Sequence, residues 1–370
     1  MNILFTNFHA TDGGGHVTYI LNLARALASE HEVTIATPST SRLYRYAADI
    51  PGVRRLDQWY TSRVQKMVPE VRQLRARLRQ GRYDLVHING SADHRHLMFA
   101  CMGLRHRPRL VWTKHNDHSV TSFGNHLRAR WGTDHAIAVS QYVADFLQAS
   151  PYRHKPLTVI RHGIDTDRLS PVAPRDKARW RRALLGAGHD DTIVLSSSGG
   201  TDYDKGWLDL LAALSLLPRV QRQRFRVVVA GSQPDSAKLA RVAELGVQDL
   251  VVFPGLVDDV RPVLGACDVG FVLSYREALS YACREVMALG LPALITDVGG
   301  LPENVTAGEN GWIVPPRSPA HIQSVLQSLL QETDLIDRAG RAARLTAEQQ
   351  FGLDDFVQAT CAVYQQVLAG

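Results

Sequence analysis

Residues 2–38 have the sequence NILFTNFHATDGGGHVTYILNLARALASEHEVTIATP. The short apolar run at the start predicts a β-strand, and the three glycines after it predict a flexible turn. Five apolar residues then recur at helical spacing, namely Val17, Ile20, Leu21, Ala24 and Leu27. The apolar EVTIATP that follows predicts a second strand. The segment is therefore predicted to form a strand, loop, helix and strand unit, which is a building block of parallel sheets.

The same alternation continues along the chain. Further strands are predicted at YDLVHING, RLVWTKHND and HAIAVS and, after a break, at TIVLSSSGG, FRVVVAG, LVVFPG, DVGFVLS and PALITD. Helical patterns lie between these runs, and such alternation predicts parallel sheets covered on both faces. The break, from about Ile164 to Asp176, is rich in Pro and Asp, and no apolar periodicity crosses it. We therefore predict an α/β protein of two tandem Rossmann-like domains, residues 1–166 and 167–348, with a ligand cleft between them.

Length and composition agree with two globular domains. A chain of 370 residues is too long for one typical core and fits two of ordinary size. No apolar run approaches the roughly 18 residues that span a bilayer, and the N-terminus lacks the features of a signal peptide, so we expect a cytoplasmic protein. Scattered cysteines without disulfide or metal spacing predict buried free thiols at Cys101, Cys267, Cys283 and Cys361.

A glycine-rich loop follows the first strand of each predicted domain. Gly13, Gly14 and Gly15 lie between a strand and a helix, where missing side chains let an anion such as a diphosphate approach backbone N–H groups. In the second half, SSSGGTDYDKG places Lys205 before a helix, where its ammonium can neutralise phosphate oxygens. The structural alternatives are a tight turn and a solvated lysine. The two loops together favour phosphate binding.

Two carboxylates stand out in YREALSYACREVMALG, residues 275–290. The strand DVGFVLS ends just before this stretch, so Glu277 is predicted in the loop at its carboxyl end and Glu285 about two turns into the next helix. A carboxylate accepts hydrogen bonds from two adjacent hydroxyls, which suits ribose and hexopyranose rings. The alternative for either residue alone is a surface charge on a helix flank.

From Phe253 onward the chain resembles the retaining glycosyltransferases of family 4, within the GT-B superfamily. The spacing of Glu277 and Glu285 is the E-x7-E signature of that family, and DVGGLPENV and GENGWIVPP match its next segments. Earlier matches are GGGHVTYILNLARALA, YDLVHIN, HAIAVSQYVADFL and VIRHGIDTDRLSP. The resemblance covers nearly the whole chain and implies the GT-B fold, in which the parallel sheets of two Rossmann-like domains face each other across a cleft. Residues 349–370 resemble the segment that crosses back onto the first domain.

The resemblance assigns the donor site to the second half of the chain. It implies that Lys205 binds the donor diphosphate and that Glu285 binds the nucleotide ribose. Glu277 is expected to hold the donor sugar. It would be assisted by three backbone N–H groups, those of Leu279, Ser280 and Tyr281.

The resemblance places acceptor contacts in the first half. Gly14 and Gly15 would approach the phosphate and the acceptor, and His115 of TKHND would contact the sugar or its leaving group. His16 and His162 are weaker candidates. For any single histidine, the alternative is a hydrogen-bonded core or surface residue.

Three positions depart from the family pattern. Gly200 stands where the family usually has an Arg, five residues before the phosphate-binding lysine. One of the two cations that would hold the diphosphate is therefore missing or supplied elsewhere. EALS replaces the common E-G-F-G, which narrows the backbone freedom beside the sugar. His162 replaces the usual Asn of N-G-I-D. These differences leave the donor sugar open.

The resemblance implies a function. It implies sugar transfer from a nucleotide-diphosphate sugar to a saccharide or lipid-linked acceptor, with retention of the anomeric configuration and no metal or other cofactor. The expected role is the biosynthesis of lipopolysaccharide or another cell-surface glycan. Two alternatives share the fold: a sugar-nucleotide epimerase, and a non-catalytic relative that binds a nucleotide sugar.

Charge is unevenly distributed along the chain. Residues 1–170 hold 23 Lys and Arg against 13 Asp and Glu, and 13 of the 15 histidines. Between Arg63 and Arg82, basic residues flank one apolar helical stripe. This helix could dock on anionic lipid at the inner face of the cytoplasmic membrane, or it could be a core helix with a solvated basic face. Nucleic-acid binding is disfavoured because no stacking aromatics alternate with the arginines.

Overall fold

The computed structural model describes residues 1–11, 13–332 and 334–370. The chain divides into two compact units. The first comprises Met1–Gly163 together with Leu353–Gly370, and the second comprises Ile164–Gly352. The boundaries predicted after residues 166 and 348 lie within a few residues of these divisions.

The first unit is built on a seven-stranded sheet in which neighbouring strands are parallel. The strand order is β3-β2-β1-β4-β5-β6-β7. The strands are β1 Asn2–Thr6, β2 Glu32–Thr37, β3 Val53–Asp57, β4 Leu85–Ile88, β5 Arg109–Lys114, β6 His135–Ala138 and β7 Leu157–Val159. The inner strands are almost fully buried because helices cover both faces of the sheet, which explains their continuous apolar sequences.

The helices of the first unit connect these strands. They are α1 Gly15–Leu27, α2 Arg42–Tyr46, α3 Val64–Gly81, α4 Ser91–Cys101, α5 Phe123–Trp131 and α6 Gln141–Gln148, with 3₁₀ turns at Ala47–Asp49 and Pro151–His154. The C-terminal helix, Leu353–Ala369, also belongs to this unit. Its Tyr364 hydroxyl hydrogen-bonds to Nδ1 of His87 on β4, and its Phe356 ring packs edge-on against Tyr19 of α1. These buried contacts attach the end of the chain to the first sheet.

The second unit has a six-stranded sheet in the order β10-β9-β8-β11-β12-β13, again with parallel neighbours. The strands are β8 Ile193–Ser197, β9 Phe225–Ala230, β10 Val251–Gly255, β11 Val269–Val272, β12 Ala293–Thr296 and β13 Gly311–Val314. The helices are α7 Pro174–Leu185, α8 Trp207–Ser215, α9 Arg219–Arg222, α10 Ser236–Glu244, α11 Arg261–Leu264, α12 Tyr281–Ala288, α13 Pro319–Gln331 and α14 Leu335–Gln350. Short 3₁₀ turns lie at Tyr203–Lys205, Gln248–Leu250 and Leu301–Asn304.

Strand order locates the ligand-binding edge of each sheet. In an open parallel sheet, ligands bind beyond the carboxyl ends of the strands, where the strand order reverses direction. That point lies between β1 and β4 in the first unit and between β8 and β11 in the second. The loops after these four strands carry the glycine-rich loop, Asn89, Lys205 and Glu277.

One glycine allows close approach at the second of these points. A Cβ atom on Gly206 would lie 1.9 Å from the carbonyl oxygen of Leu273, just after β11. Gly206 also adopts φ +66°, a conformation that other residues rarely take. The chain therefore needs glycine here to bring the Lys205 turn against the end of β11.

Helix α3 is more exposed than a core helix. Only Leu74 and Leu78 are buried, while Val64 and Val68 are 68% and 43% exposed. The predicted apolar stripe is therefore buried only in its C-terminal half. Among the helices that the structure describes, none combines the length and the apolar character of a membrane span. All four cysteines are free, and three are buried as predicted, while Cys361 is half-buried.

Candidate active site

Lys205 and Glu277 meet in the second unit. Lys205 ends the 3₁₀ turn after β8, and Glu277 lies in the loop after β11. The Lys205 Nζ and Glu277 Oε2 atoms are 3.5 Å apart, and the two side chains are 28% and 22% exposed. The pair is loose and reachable from solvent, so each group can exchange its partner for a ligand at small cost.

Hydrogen bonds hold the loop that carries Glu277. The backbone N–H of Tyr275 donates to the Asp204 carbonyl oxygen over 2.7 Å, which ties this loop to the Lys205 turn. The Gly300 N–H donates to the Glu277 carbonyl oxygen over 3.1 Å. The loop is thereby fixed from two neighbouring segments, and the carboxylate projects from a defined backbone.

Glu285 lies in the same unit, on helix α12. The helix begins at Tyr281, so Glu285 is its fifth residue, a little over one turn in rather than the predicted two. The Ser198 hydroxyl donates to Glu285 Oε2 over 3.3 Å. Burial raises the pKa of the Glu285 carboxyl, and the Ser198 hydrogen bond opposes that shift. A carboxylate with one hydroxyl partner can accept further hydrogen bonds from a diol.

The start of α12 has an unusual backbone. Ser280, its N-cap, adopts φ +86° and ψ +111°, and its hydroxyl accepts a hydrogen bond from the Cys283 N–H over 3.3 Å. A non-glycine residue with this φ is strained unless its surroundings hold it. The backbone N–H groups predicted to bind the donor are those of Leu279, Ser280 and Tyr281. They lie at the N-terminus of α12, which is the positive end of the helix dipole.

The structure gives a physical account of Gly200. This residue adopts φ +95°, and a Cβ atom built on it would meet nothing within 4 Å. A Cβ on Gly231, by contrast, would lie 2.6 Å from the Gly200 Cα, so the loops after β8 and β9 touch. An arginine at residue 200 would have space for its side chain but a strained backbone.

The first unit collects imidazole rings beside the glycine-rich loop. Gly14 caps α1 with φ +50°, and Gly15 begins that helix. The His16 and His115 rings follow, with centroids 4.3 Å apart, and Nε2 of His115 is 3.0 Å from Oδ1 of Asn89. The loop residues and His115, distant in sequence, are therefore neighbours at one edge of the sheet.

These imidazoles are neutral at pH 7. Burial, followed by the charge of His9, lowers the pKa of His16 to about 3. Burial, followed by His16 and His162, holds the pKa of His115 well below its usual 6.5. Neutral rings can donate and accept hydrogen bonds, but they cannot neutralise a diphosphate.

Several partners were not found from the sequence. They are Asn89, which contacts His115, Ser198, which contacts Glu285, and Asn304, which holds the loop before α12. Each is far in sequence from its partner. The sequence signals that could have pointed to them are the position of Asn89 and Ser198 just after a predicted strand and the position of Asn304 within DVGGLPENV. His162 lies 5.8 Å from His115 by ring centroids, so this weaker candidate joins the same cluster.

Side chains that could ligate a metal ion do not cluster in the described part of the chain. Over residues 1–11, 13–332 and 334–370, no three His, Cys, Asp or Glu side chains come together in a way that would hold a metal ion.

Comparison with known proteins identifies the family. A model described as Glycosyltransferase Family 4 matches residues 13–168, and one described as Glycosyl transferases group 1 matches residues 181–346. A D-inositol 3-phosphate glycosyltransferase from Streptomyces scabiei is 30% identical, and the alignment covers 95% of this chain and 86% of the relative. The chain belongs to glycosyltransferase family 4.

Further relatives of this glycosyltransferase agree with that assignment. A lipopolysaccharide core biosynthesis mannosyltransferase, LpsB of Rhizobium meliloti, is 29% identical over 72% of this chain and 74% of its own. Anabaena HepE, solved in complex with UDP-glucose, superposes with a TM-score of 0.83 at 19% identity, covering 99% of this chain and all of that one. The predicted GT-B fold is confirmed.

Proposed function

We propose that this glycosyltransferase moves a hexosyl group from a nucleotide-diphosphate sugar to a saccharide or lipid-linked acceptor, with retention of the anomeric configuration. The observation that carries the proposal is the 3.5 Å contact between Lys205 and Glu277 at the switch point of the second sheet, with Glu285 on the adjoining helix. A cation, a sugar-binding carboxylate and a diol-binding carboxylate are the groups that a nucleotide-diphosphate sugar requires. The UDP-glucose complex of HepE supports a donor of this class.

Each group has a role in donor binding. The Lys205 ammonium holds the diphosphate as a point charge, assisted by the N-terminus of α12. The Glu285 carboxylate accepts hydrogen bonds from the two ribose hydroxyls. Burial raises its pKa because the charge loses contact with water, and hydroxyl donors replace part of that lost solvation. The Glu277 carboxylate accepts hydrogen bonds from hydroxyls of the donor sugar once the diphosphate has taken Lys205.

The chemistry follows from where charge develops. When the bond between the anomeric carbon and the leaving phosphate oxygen breaks, the ring becomes positive and the diphosphate gains negative charge. Lys205 stabilises the leaving group because its charge is already in place. The acceptor oxygen then bonds to the same face of the anomeric carbon, and its proton passes to the departing phosphate. Retention results without a covalent enzyme intermediate.

Neither glutamate acts as in a retaining hydrolase. Such enzymes use one carboxylate as nucleophile and the other as acid, about 5 Å apart on either side of the scissile bond. Here Glu285 is engaged by Ser198 on the β8 loop and Glu277 by Lys205. Both are therefore assigned to substrate binding, and no metal ion is required by the scheme.

The acceptor is proposed to bind the first unit. Gly14 and Gly15 leave the backbone open at the start of α1, and the neutral rings of His16 and His115 offer both donors and acceptors for hydroxyl groups. Groups that can both donate and accept suit an uncharged saccharide. The relationship to LpsB supports an acceptor that belongs to lipopolysaccharide or another surface glycan.

Turnover of a panel of UDP-, GDP- and ADP-sugars tests the donor proposal. The parent protein should bind and slowly hydrolyse one donor, and Lys205→Ala and Glu285→Ala should both lose that activity. Arg338→Ala, which removes an exposed cation of the same unit, is the matched control and should behave as the parent. Binding of no sugar nucleotide would reject the proposal.

Proton NMR of the anomeric centre in the product tests retention, and activity after EDTA treatment tests metal independence.

Membrane docking is a further part of the proposal. Exposed basic residues at the start of α3, among them Arg63, Lys66 and Arg72, lie beside exposed Val64 and Val68. A surface of this kind is attracted to anionic lipid. Vesicles with and without anionic lipid should be compared in a flotation assay at low salt. Docking is supported if the protein binds the vesicles only when they contain anionic lipid, and if the double variant Lys66→Glu with Arg72→Glu binds them less. No binding to vesicles at low salt contradicts it.

A further inference from the structure

A buried arginine stands next to Glu285 on helix α12. Arg284 is 1% exposed, although burying a guanidinium is costly unless its environment compensates. Its Nε donates to Oδ1 of Asn304 over 2.9 Å, and its Cζ lies 4.2 Å from the centroid of the Phe351 ring. Phe351 is itself fixed, because its carbonyl oxygen accepts the N–H of Ile164 over 2.9 Å. The guanidinium is thus held on one side and can orient Asn304 on the other.

Asn304 passes this constraint to the donor loop. Its Nδ2 donates to the Leu279 carbonyl oxygen over 2.9 Å and to that of Leu301 over 3.1 Å. An amide side chain can rotate and present either its oxygen or its nitrogen. Arg284 can only donate and the Leu279 and Leu301 carbonyls can only accept, so Arg284 and these carbonyls together hold the Asn304 amide in one orientation. A hydrogen-bonded chain therefore runs from Arg284 through Asn304 to the residue before Ser280.

Ser280 is the residue that needs this support. Its φ of +86° and ψ of +111° fall outside the left-handed helical region that Arg82 occupies at φ +46° and ψ +45°. A residue with a Cβ atom keeps such a conformation only when neighbouring contacts enforce it. Glycine would adopt the same backbone without that penalty.

We propose that Arg284 is a positioning residue, which acts through Asn304 to hold Ser280 in its strained conformation. That conformation presents the N-terminus of α12 and the Glu277 loop to the donor, so this inference rests on the proposed function of the loop. Arg284 touches no substrate. Its contribution is needed because residue 280 is a serine, and a glycine at residue 280 makes it dispensable.

Suppression is the test of this dependence. Arg284→Met should lower kcat/KM for the donor by about 10- to 100-fold, the range expected when a binding group is displaced by about 1 Å. Ser280→Gly alone is the reference for the double variant, because both lack the hydroxyl that accepts the Cys283 N–H. The double variant Ser280→Gly with Arg284→Met should recover to within a few-fold of Ser280→Gly. If the two effects instead multiply, or if Arg284→Met retains parental kcat/KM, the proposal is wrong.

Two controls separate positioning from general stability. Arg181 is another nearly buried arginine of the second unit, paired with Asp268 before β11. Arg181→Met should destabilise the unit, and Ser280→Gly should not rescue it. Ser280→Ala removes the capping hydroxyl but keeps Cβ, so it should not rescue Arg284→Met. Rescue in either control would show a non-specific gain of stability and would contradict the proposal.

A structural measurement makes the test independent of turnover. In a crystal structure of Arg284→Met, Ser280 should have relaxed to negative φ, and in the double variant the glycine introduced at residue 280 should keep positive φ. An unchanged Ser280 in Arg284→Met overturns the inference even if activity falls. If Arg284→Met does not fold, Arg284→Lys serves instead, because it keeps a cation but lacks the fixed guanidinium geometry. A parent inactive with every donor rejects the proposed function, while this measurement still decides the inference.

Discussion

The two units place opposite kinds of chemistry at equivalent points of their sheets. The first half of the chain is the more basic one, yet the side chains at its switch point are neutral imidazoles whose pKa values are lowered by burial. The second half is net acidic, yet its switch point carries the ammonium of Lys205 beside the Glu277 carboxylate. The net charge of a domain therefore does not indicate the charge of its site, because burial and local partners decide which groups stay ionised.

Removing the charge of Lys205 should have the largest effect. Lys205→Ala should reduce kcat by about 10²- to 10³-fold, as for other losses of a group that stabilises developing charge. Steady-state kinetics with the donor found in the panel would measure this. Lys205→Arg should retain part of the activity, since it keeps a cation at the same place. A loss below about tenfold would mean that the charge of Lys205 does not stabilise the leaving group.

Acidification should weaken the first unit through its buried histidines. Burial lowers the pKa values of His87 and His94 to about 3, below the 6.5 of an unfolded histidine. The unfolded chain therefore takes up protons first, so the stabilisation is complete above pH 6.5 and is lost progressively toward pH 3. At pH 5 each histidine should cost about 2 kcal/mol of unfolding free energy.

Urea unfolding at pH 7 and pH 5 would measure this loss. His87→Gln should reduce the pH dependence by the share of one histidine, because that ring then no longer takes up a proton on unfolding. Equal stability at both pH values would mean that these rings take up protons at pH 5 in the folded protein as readily as in the unfolded chain.

Replacing a neutral ring should cost less than removing a charge. His115→Asn should lower kcat/KM for the acceptor by about 5- to 10-fold, the equivalent of one hydrogen bond between neutral groups. Initial rates at varied acceptor concentration would measure it, with donor KM as the internal control. A loss as large as that of Lys205→Ala would instead show that His115 acts in the reaction as a charged imidazolium.

The smallest change is expected at an exposed ion pair. Arg338 pairs with Asp334 and Glu332 on the surface of the second unit. Arg338→Ala should shift the unfolding free energy by less than about 0.5 kcal/mol and leave kcat unchanged, because exposed pairs contribute little. A larger effect in urea unfolding would show that surface charge matters more here than local burial.

Sequence patterns located most strands because buried parallel strands are continuous apolar runs. They did not reveal three edge strands: β3, whose sequence VRRLD places two arginines in an exposed strand, the short β7 at the other edge of the first sheet, and β13 at one edge of the second sheet. Edge strands contact only one neighbour and need less apolar sequence. The start of α12 was also misjudged, because the strained Ser280, rather than apolar spacing, sets it.

The sequence by itself determined the class of the protein. Strand and helix periodicity, the glycine loops and the spacing of Glu277 and Glu285 are local features, and they sufficed for the fold and the family. Only the tertiary structure decided which residues cooperate. Ser198 meets Glu285, Asn89 meets His115, and the chain of hydrogen bonds from Arg284 to Leu279 passes through Asn304, 20 residues or more away in sequence. Such pairs leave no periodic trace, since hydrogen bonds and burial depend on distances that exist only after the sheets have formed.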